Sequence, residues 1–162
     1  MSMRRAVSLG LAYVLFAAVP AISQDAATAV TVSGQVQHPV TVSLADLQKL
    51  PPTSVAISFE TDRGPESATY TGALLWSVLA NSGLVDAPGK NTGIRHTFLV
   101  IGRDGYAAAL SDGEIDPRLE GKSALLAYQK DGKPNADGIR LVVPGDHHGA
   151  RAVRDVVKIE VQ

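Results

Sequence analysis

Gly138-Ile139-Arg140-Leu141-Val142-Val143-Pro144-Gly145-Asp146-His147-His148-Gly149-Ala150-Arg151, continued by Ala152-Val153-Arg154-Asp155-Val156-Val157, is the stretch on which the fold turns. Val142 and Val143 belong to a short β-branched run that Pro144-Gly145 stops, which predicts a buried strand ending in a turn. Between Gly145 and Gly149, where backbone can approach a ligand closely, the turn offers one carboxylate, two imidazoles and several N–H groups, with Arg151 just beyond. Alternation resumes through Val153, Val157, Ile159 and Val161, so the loop is expected to hang between two strands of one sheet. An ordinary solvated hairpin loop would have the same spacing, and the loop alone does not decide between the two.

Working outward, the chain of 162 residues is 45% apolar and 19% charged, enough for one globular domain with a real core. Arg4 and Arg5 precede an apolar run over residues 6–19, followed by Pro20 and the small residues Ala21 and Ser23. That pattern predicts a secretory signal peptide over residues 1–23; the run is shorter than the ~20 residues a spanning helix needs. The mature domain is then residues 24–162, in the periplasm, with no direct insertion into the membrane. Losing both arginines moves its formal charge from −1 to −3, and with no basic stripe nucleic acid is not an expected partner. There is no cysteine, which excludes thiolate chemistry of every kind.

Residues 29–36 alternate as a strand with a bulge at Gly34, and residues 40–42 read as a second strand. Ser43 is a predicted N-cap, with Asp46 as its capping-box partner, for one or two helical turns that Pro51-Pro52 close. Residues 55–59 form a strand expected to run into a polar loop over residues 60–65. Thr71 is expected to cap a helix over residues 72–82, with Trp76 packing beside its apolar stripe. Residues 96–101 and 106–110 read as the arms of a hairpin. The segment from Ser111 to Pro117 is acidic and reads as too polar for the core; residues 123–129 form a further strand. Strands outnumber helices and the turns favour hairpins, which predicts an α+β domain on largely antiparallel sheet.

Taken together, several segments resemble the molybdopterin-binding domain of the sulfite oxidase family. They are residues 34–39, Ser43-Leu44-Ala45-Asp46-Leu47, Tyr70-Thr71-Gly72-Ala73-Leu74-Leu75, Asp104-Gly105-Tyr106, Leu126-Ala127-Tyr128 with Asp131-Gly132-Lys133-Pro134, and the opening stretch with its Gly149-Ala150-Arg151. The resemblance covers nearly all of residues 24–162. It implies a sulfite oxidase-like fold and a pterin whose dithiolene holds molybdenum, with one protein cysteine completing the metal's coordination. That cysteine would follow the strand over residues 55–59, where this sequence has Glu60-Thr61-Asp62-Arg63. The resemblance therefore implies a pterin pocket without the redox centre, the ligand being a reduced pterin or a molybdopterin-like compound and molybdenum not being expected. Short secreted members of this kind resemble periplasmic pterin-binding proteins, which implies a membrane-bound signalling protein as partner.

A pterin presents an amino-pyrimidine edge that a carboxylate can accept as a pair, a carbonyl that needs a donor, and a flat ring that needs a wall. Candidate carboxylates are Asp62, Asp104, Glu114 and Asp146; Arg63 and Arg151 are candidate donors, and Tyr106 is the candidate wall. Thr61 enters by its place in the loop that would hold the cysteine, and His147 as one imidazole reaching the ligand. Glu114 enters because its acidic loop has no evident structural task. Three rival functions stay open: a binding protein; an enzyme, either a molybdenum oxidoreductase with a non-cysteine ligand or a hydrolase using Asp146 and His147; and a fold that has lost its ligand.

Overall fold

The computed structural model describes residues 29–162, so the expected signal peptide lies outside the described residues. In chain order the elements are β1 (Ala29–Gly34), β2 (Val40–Ser43), α1 (Leu44–Leu47), β3 (Pro52–Thr61), β4 (Gly64–Leu74), α2 (Leu75–Ser82), β5 (Thr97–Gly102) and β6 (Ala107–Ser111). They are followed by α3 (Asp112–Ile115), β7 (Leu125–Lys130), β8 (Lys133–Pro134), β9 (Arg140–Val142) and β10 (Val156–Val161). The strands make two five-stranded sheets. One has the order β2-β1-β10-β5-β6; the other runs β3-β4-β7-β8, with β9 also paired to β7. All pairings are antiparallel except β1 with β10, so the α+β, largely antiparallel expectation matches the molecule.

The expectation that the loop after Val143 joins two strands of one sheet is overturned: β9 belongs to the second sheet and β10 to the first. Alternating apolar residues look the same whether a chain returns to its own sheet or crosses to another, because periodicity reports burial of a face and not its partner. The main core lies between the sheets and contains Val30, Val32, Phe98, Val100, Leu126, Leu141 and Ile159. A second cluster of Ile57, Phe59, Tyr70, Leu125, Ala127 and Val142 buries the opposite face of β7 and β9. Leu141 and Val142 thus enter different clusters, as side chains alternating across a strand must.

The capping box forms as read: Asp46 N–H donates to Ser43 Oγ at 3.1 Å, and Ser43 N–H donates to the Asp46 carboxylate at 3.2 Å. The expected loop over residues 60–65 is instead a two-residue turn, Asp62-Arg63, between two long strands. The expected helix start at Gly72 is also corrected. Thr71 shares a 2.7 Å hydrogen bond with Ser54 across the β3–β4 pair, and β4 continues to Leu74. A β-carbon at Gly72 would lie 2.3 Å from the Leu126 carbonyl oxygen, so Gly72 is a close approach to β7 at the register shift between Thr71 and Gly72. Trp76 packs, partly buried, against the main core. No helix of the described residues is long and apolar enough to cross a membrane.

The expectation that the acidic segment is too polar for the core also fails. Asp112 and Asp116 are each only 1% exposed. Arg118 donates to both oxygens of Asp116, which satisfies one carboxylate where it is buried.

Candidate functional site

Three strand ends converge on one open cleft of about 380 Å³. The end of β3 and its turn contribute Thr61 and Asp62; the β5–β6 turn contributes Asp104 and Tyr106. The segment after β9 contributes His148, Gly149, Ala150, Ala152 and Arg154, and Arg140 from β9 completes the lining. A depression of about 480 Å³ elsewhere is bordered by Asp86, Asp116 and Arg118, but its carboxylates are already engaged, Asp86 by His96 at 2.9 Å and Asp116 by Arg118.

The cleft is held by contacts between segments distant in sequence. Glu60 N–H donates to the His147 carbonyl at 3.0 Å, which ties the loop to the end of β3. Tyr106 Oη donates to the Ala150 carbonyl at 2.6 Å, tying the β5–β6 turn to the 3-10 turn Gly149–Arg151. Tyr106 N–H donates to Asp104 Oδ1 at 2.9 Å, which sets the turn between them. Gly149 sits against a ring: a β-carbon there would be 2.7 Å from Phe59 Cε2. Only hydrogen fits between that backbone and Phe59.

Arg140 is 3% exposed. One terminal nitrogen donates to Tyr70 Oη at 2.6 Å and to Glu66 at 3.2 Å, and the other reaches Glu66 at 3.4 Å. The guanidinium carbon lies 5.2 Å from the Tyr70 ring centroid and 6.0 Å from that of Phe59. Its Nε is buried without a hydrogen-bond partner. Lys130 adds a second cation to Glu66 at 2.8 Å. Burial raises the Glu66 carboxyl, but the hydrogen bonds from Lys130 and Tyr70 and the charge of Arg140 outweigh it and hold the group at about 2. Burial, reinforced by the Glu66 hydrogen bond, pushes the Tyr70 phenol up.

Of the nine residues singled out from sequence, Thr61, Asp62, Asp104 and Tyr106 share the cleft; Arg63, Glu114, Asp146, His147 and Arg151 are not part of its lining. Arg151 directs Nε and one terminal nitrogen to Asp146 at 3.0 and 2.6 Å, and the other to Glu114 at 2.9 Å. The Asp146 hydrogen bond is the largest influence raising its pKa, followed against it by burial and with it by Glu114. Glu114 also accepts from Ser111 N–H at 3.0 Å, closing the capping box of α3, so the premise that its loop has no structural task is corrected. His147 engages Glu60 through its carbonyl, and its neighbour His148 lines the cleft in its place. Of the pair His147 and His148, expected to place one imidazole at the ligand, His148 lines the cleft, and Arg140 and Arg154 join the lining unanticipated. Arg140 had a signal: a charged residue between Ile139 and Leu141 in a buried run, which requires a partner for its charge. Among the described residues, no three histidine, aspartate or glutamate side chains are grouped to hold a metal ion.

Two sheets and three strand ends bring a polar cleft to the loop that joins the sheets. The family model of the oxidoreductase molybdopterin binding domain matches residues 16–162, and the chain belongs to that family. The domain family binds molybdopterin in related proteins. The crystal structure of the sulfane dehydrogenase SoxCD from Paracoccus pantotrophus is similar with a TM-score of 0.69 at 18% identity, over 82% of this chain and 37% of that one. The chain thus spans well under half the length of that neighbour, and the likeness is one of fold. No curated protein matches the chain.

Proposed function

We propose that this protein is a periplasmic pterin-binding protein without redox chemistry, whose occupied state is read by a membrane-bound signalling partner. The observation that carries the reading is the pairing of a polar cleft with a chain that has no cysteine. In the family a pterin dithiolene supplies molybdenum redox chemistry, with a protein thiolate on the metal; at the corresponding turn this chain has Thr61, Asp62 and Arg63. Oxygen and nitrogen donors make a harder ligand set than thiolate and do not reproduce that centre.

The lining does fit the heterocycle. Asp62 and Asp104 are carboxylates able to accept from an amino-pyrimidine edge, and Tyr106, half exposed, offers an aromatic ring as a wall. Arg140, Arg154 and His148 are donors for a carbonyl or a phosphate. Arg154 and His148 are the exposed donors of the lining, whereas the terminal nitrogens of Arg140 are engaged by Tyr70 and Glu66 and its Nε is buried. Arg151, Asp146 and Glu114 serve the site by holding the loop.

The test is mass spectrometry with metal analysis of protein purified from the periplasm of its own host. A bound pterin with less than a tenth of an equivalent of molybdenum is expected. Stoichiometric molybdenum would replace this reading with an oxidoreductase using a non-cysteine ligand, and an empty cleft at cellular pterin levels would reject it in favour of a fold without ligand.

A further inference from the structure

Beside the cleft lies a smaller depression of about 170 Å³, bordered by Arg103, Asp104, Arg154 and Asp155. Asp104 and Arg154 border the cleft as well, so the depression is an annex that continues it past the end of β5. Gly102 allows this arrangement. A β-carbon there would lie 2.6 Å from the Arg154 carbonyl oxygen, so only glycine lets the end of β5 come against the segment that leads into β10. Arg103 is held twice on Asp155: its backbone N–H donates to the Asp155 carbonyl at 2.9 Å, and its Nε donates to the carboxylate at 2.8 Å. The second bond uses one of the five N–H donors that a guanidinium carries.

The charge around the annex decides what it takes. A phosphate goes to guanidinium groups whose positive charge is in excess. Here Arg103 is ion-paired with Asp155 at 2.8 Å, Arg154 with Asp137 at 3.5 Å, and Arg140 with Glu66 at 3.2 Å. Asp62 and Asp104 add two more carboxylates, so even with Lys130, which shares Glu66, anions outnumber cations. That balance disfavours a phosphate. Hydrogen-bonding capacity, by contrast, is mixed: Arg103 and Arg154 donate, and Asp104 and Asp155 accept. A hydroxyl does both without bringing a charge.

We infer that the ligand of the cleft carries an uncharged, hydroxylated side chain, which lies in the annex between Asp104 and Arg154 and reaches Arg103. The inference rests on the pterin reading of the cleft and adds an orientation to it: the amino-pyrimidine edge is left to Asp62, and the substituent leaves the ring over Asp104. Arg103 sets this specificity, because it borders the annex and not the cleft.

Anaerobic calorimetric titration of the purified protein with three probes tests it. They are a tetrahydropterin bearing a methyl group, the same ring bearing a trihydroxypropyl group at that carbon, and the terminal phosphate ester of the second compound. The trihydroxypropyl compound should bind about tenfold or more tighter than the methyl one, and the ester no tighter than its parent alcohol. In Arg103→Ala the preference for trihydroxypropyl over methyl should fall to about twofold or less. Equal affinity of the wild type for the methyl and trihydroxypropyl compounds would overturn the side-chain inference and leave the pterin reading standing. Tighter binding of the ester, or a preference undiminished in Arg103→Ala, would overturn it too. Failure of all three probes to bind would overturn the pterin reading itself, and this inference with it.

Discussion

Gly145 and Gly149 are expected to let backbone approach a ligand; at Gly149 the close neighbour is instead the protein's own Phe59, 5% exposed in the second cluster, and a β-carbon at Gly145 would meet nothing. Gly149→Ala must displace that ring or the loop, which predicts a loss of about 1–3 kcal/mol in urea unfolding. A loss below 0.5 kcal/mol would mean that the loop yields freely. Asp62, Asp104 and Tyr106 were legible because turn residues at strand ends are placed by local sequence. Arg151, expected at the ligand, is instead held by Asp146 and Glu114 outside the cleft lining, and only Asp146 is near it in sequence.

The β3–β4 hairpin and the strands β7 and β9 act together through Glu66. It accepts from Tyr70 on its own strand, Lys130 on β7 and Arg140 on β9. Because its folded pKa of about 2 lies below the ordinary 4.5, its contribution is complete above about pH 5 and disappears as pH falls toward 2. Between pH 5 and pH 3 the wild type should lose about 1–2 kcal/mol more stability than Glu66→Gln, measured by denaturant unfolding. Equal losses would place the acid sensitivity elsewhere. Asp112 behaves oppositely: burial raises its carboxyl, followed by the nearby Asp116 charge, so it disfavours the fold as pH rises through its folded pKa. That Arg140 needs a partner is legible in the sequence, but not that Glu66 and Tyr70 supply it, nor that Asp112 is buried. Residues 60–71 are polar enough to pass for a loop, and only the pairing of β4 with both neighbours makes them strand; capping of α2 by Thr71 was a sound local reading that the cross-strand bond with Ser54 overrode.

At the scale of the whole molecule, the sheets meet at the loop after β9, so the cleft is made by the crossover from one sheet to the other. The order of short segments along the chain was enough to indicate the family fold, because turn chemistry and strand spacing are local. The route between sheets was not, because a crossover leaves no periodic mark. Calorimetric titration of the purified protein with a tetrahydropterin under anaerobic conditions tests most directly the proposal that this crossover cleft takes a pterin through oxygen and nitrogen groups alone. Saturable one-to-one binding is expected, weakened about tenfold or more by Arg154→Ala, which removes an exposed cation from the lining. Absence of binding by folded wild-type protein, or affinity unchanged in Arg154→Ala, would contradict this reading of the cleft.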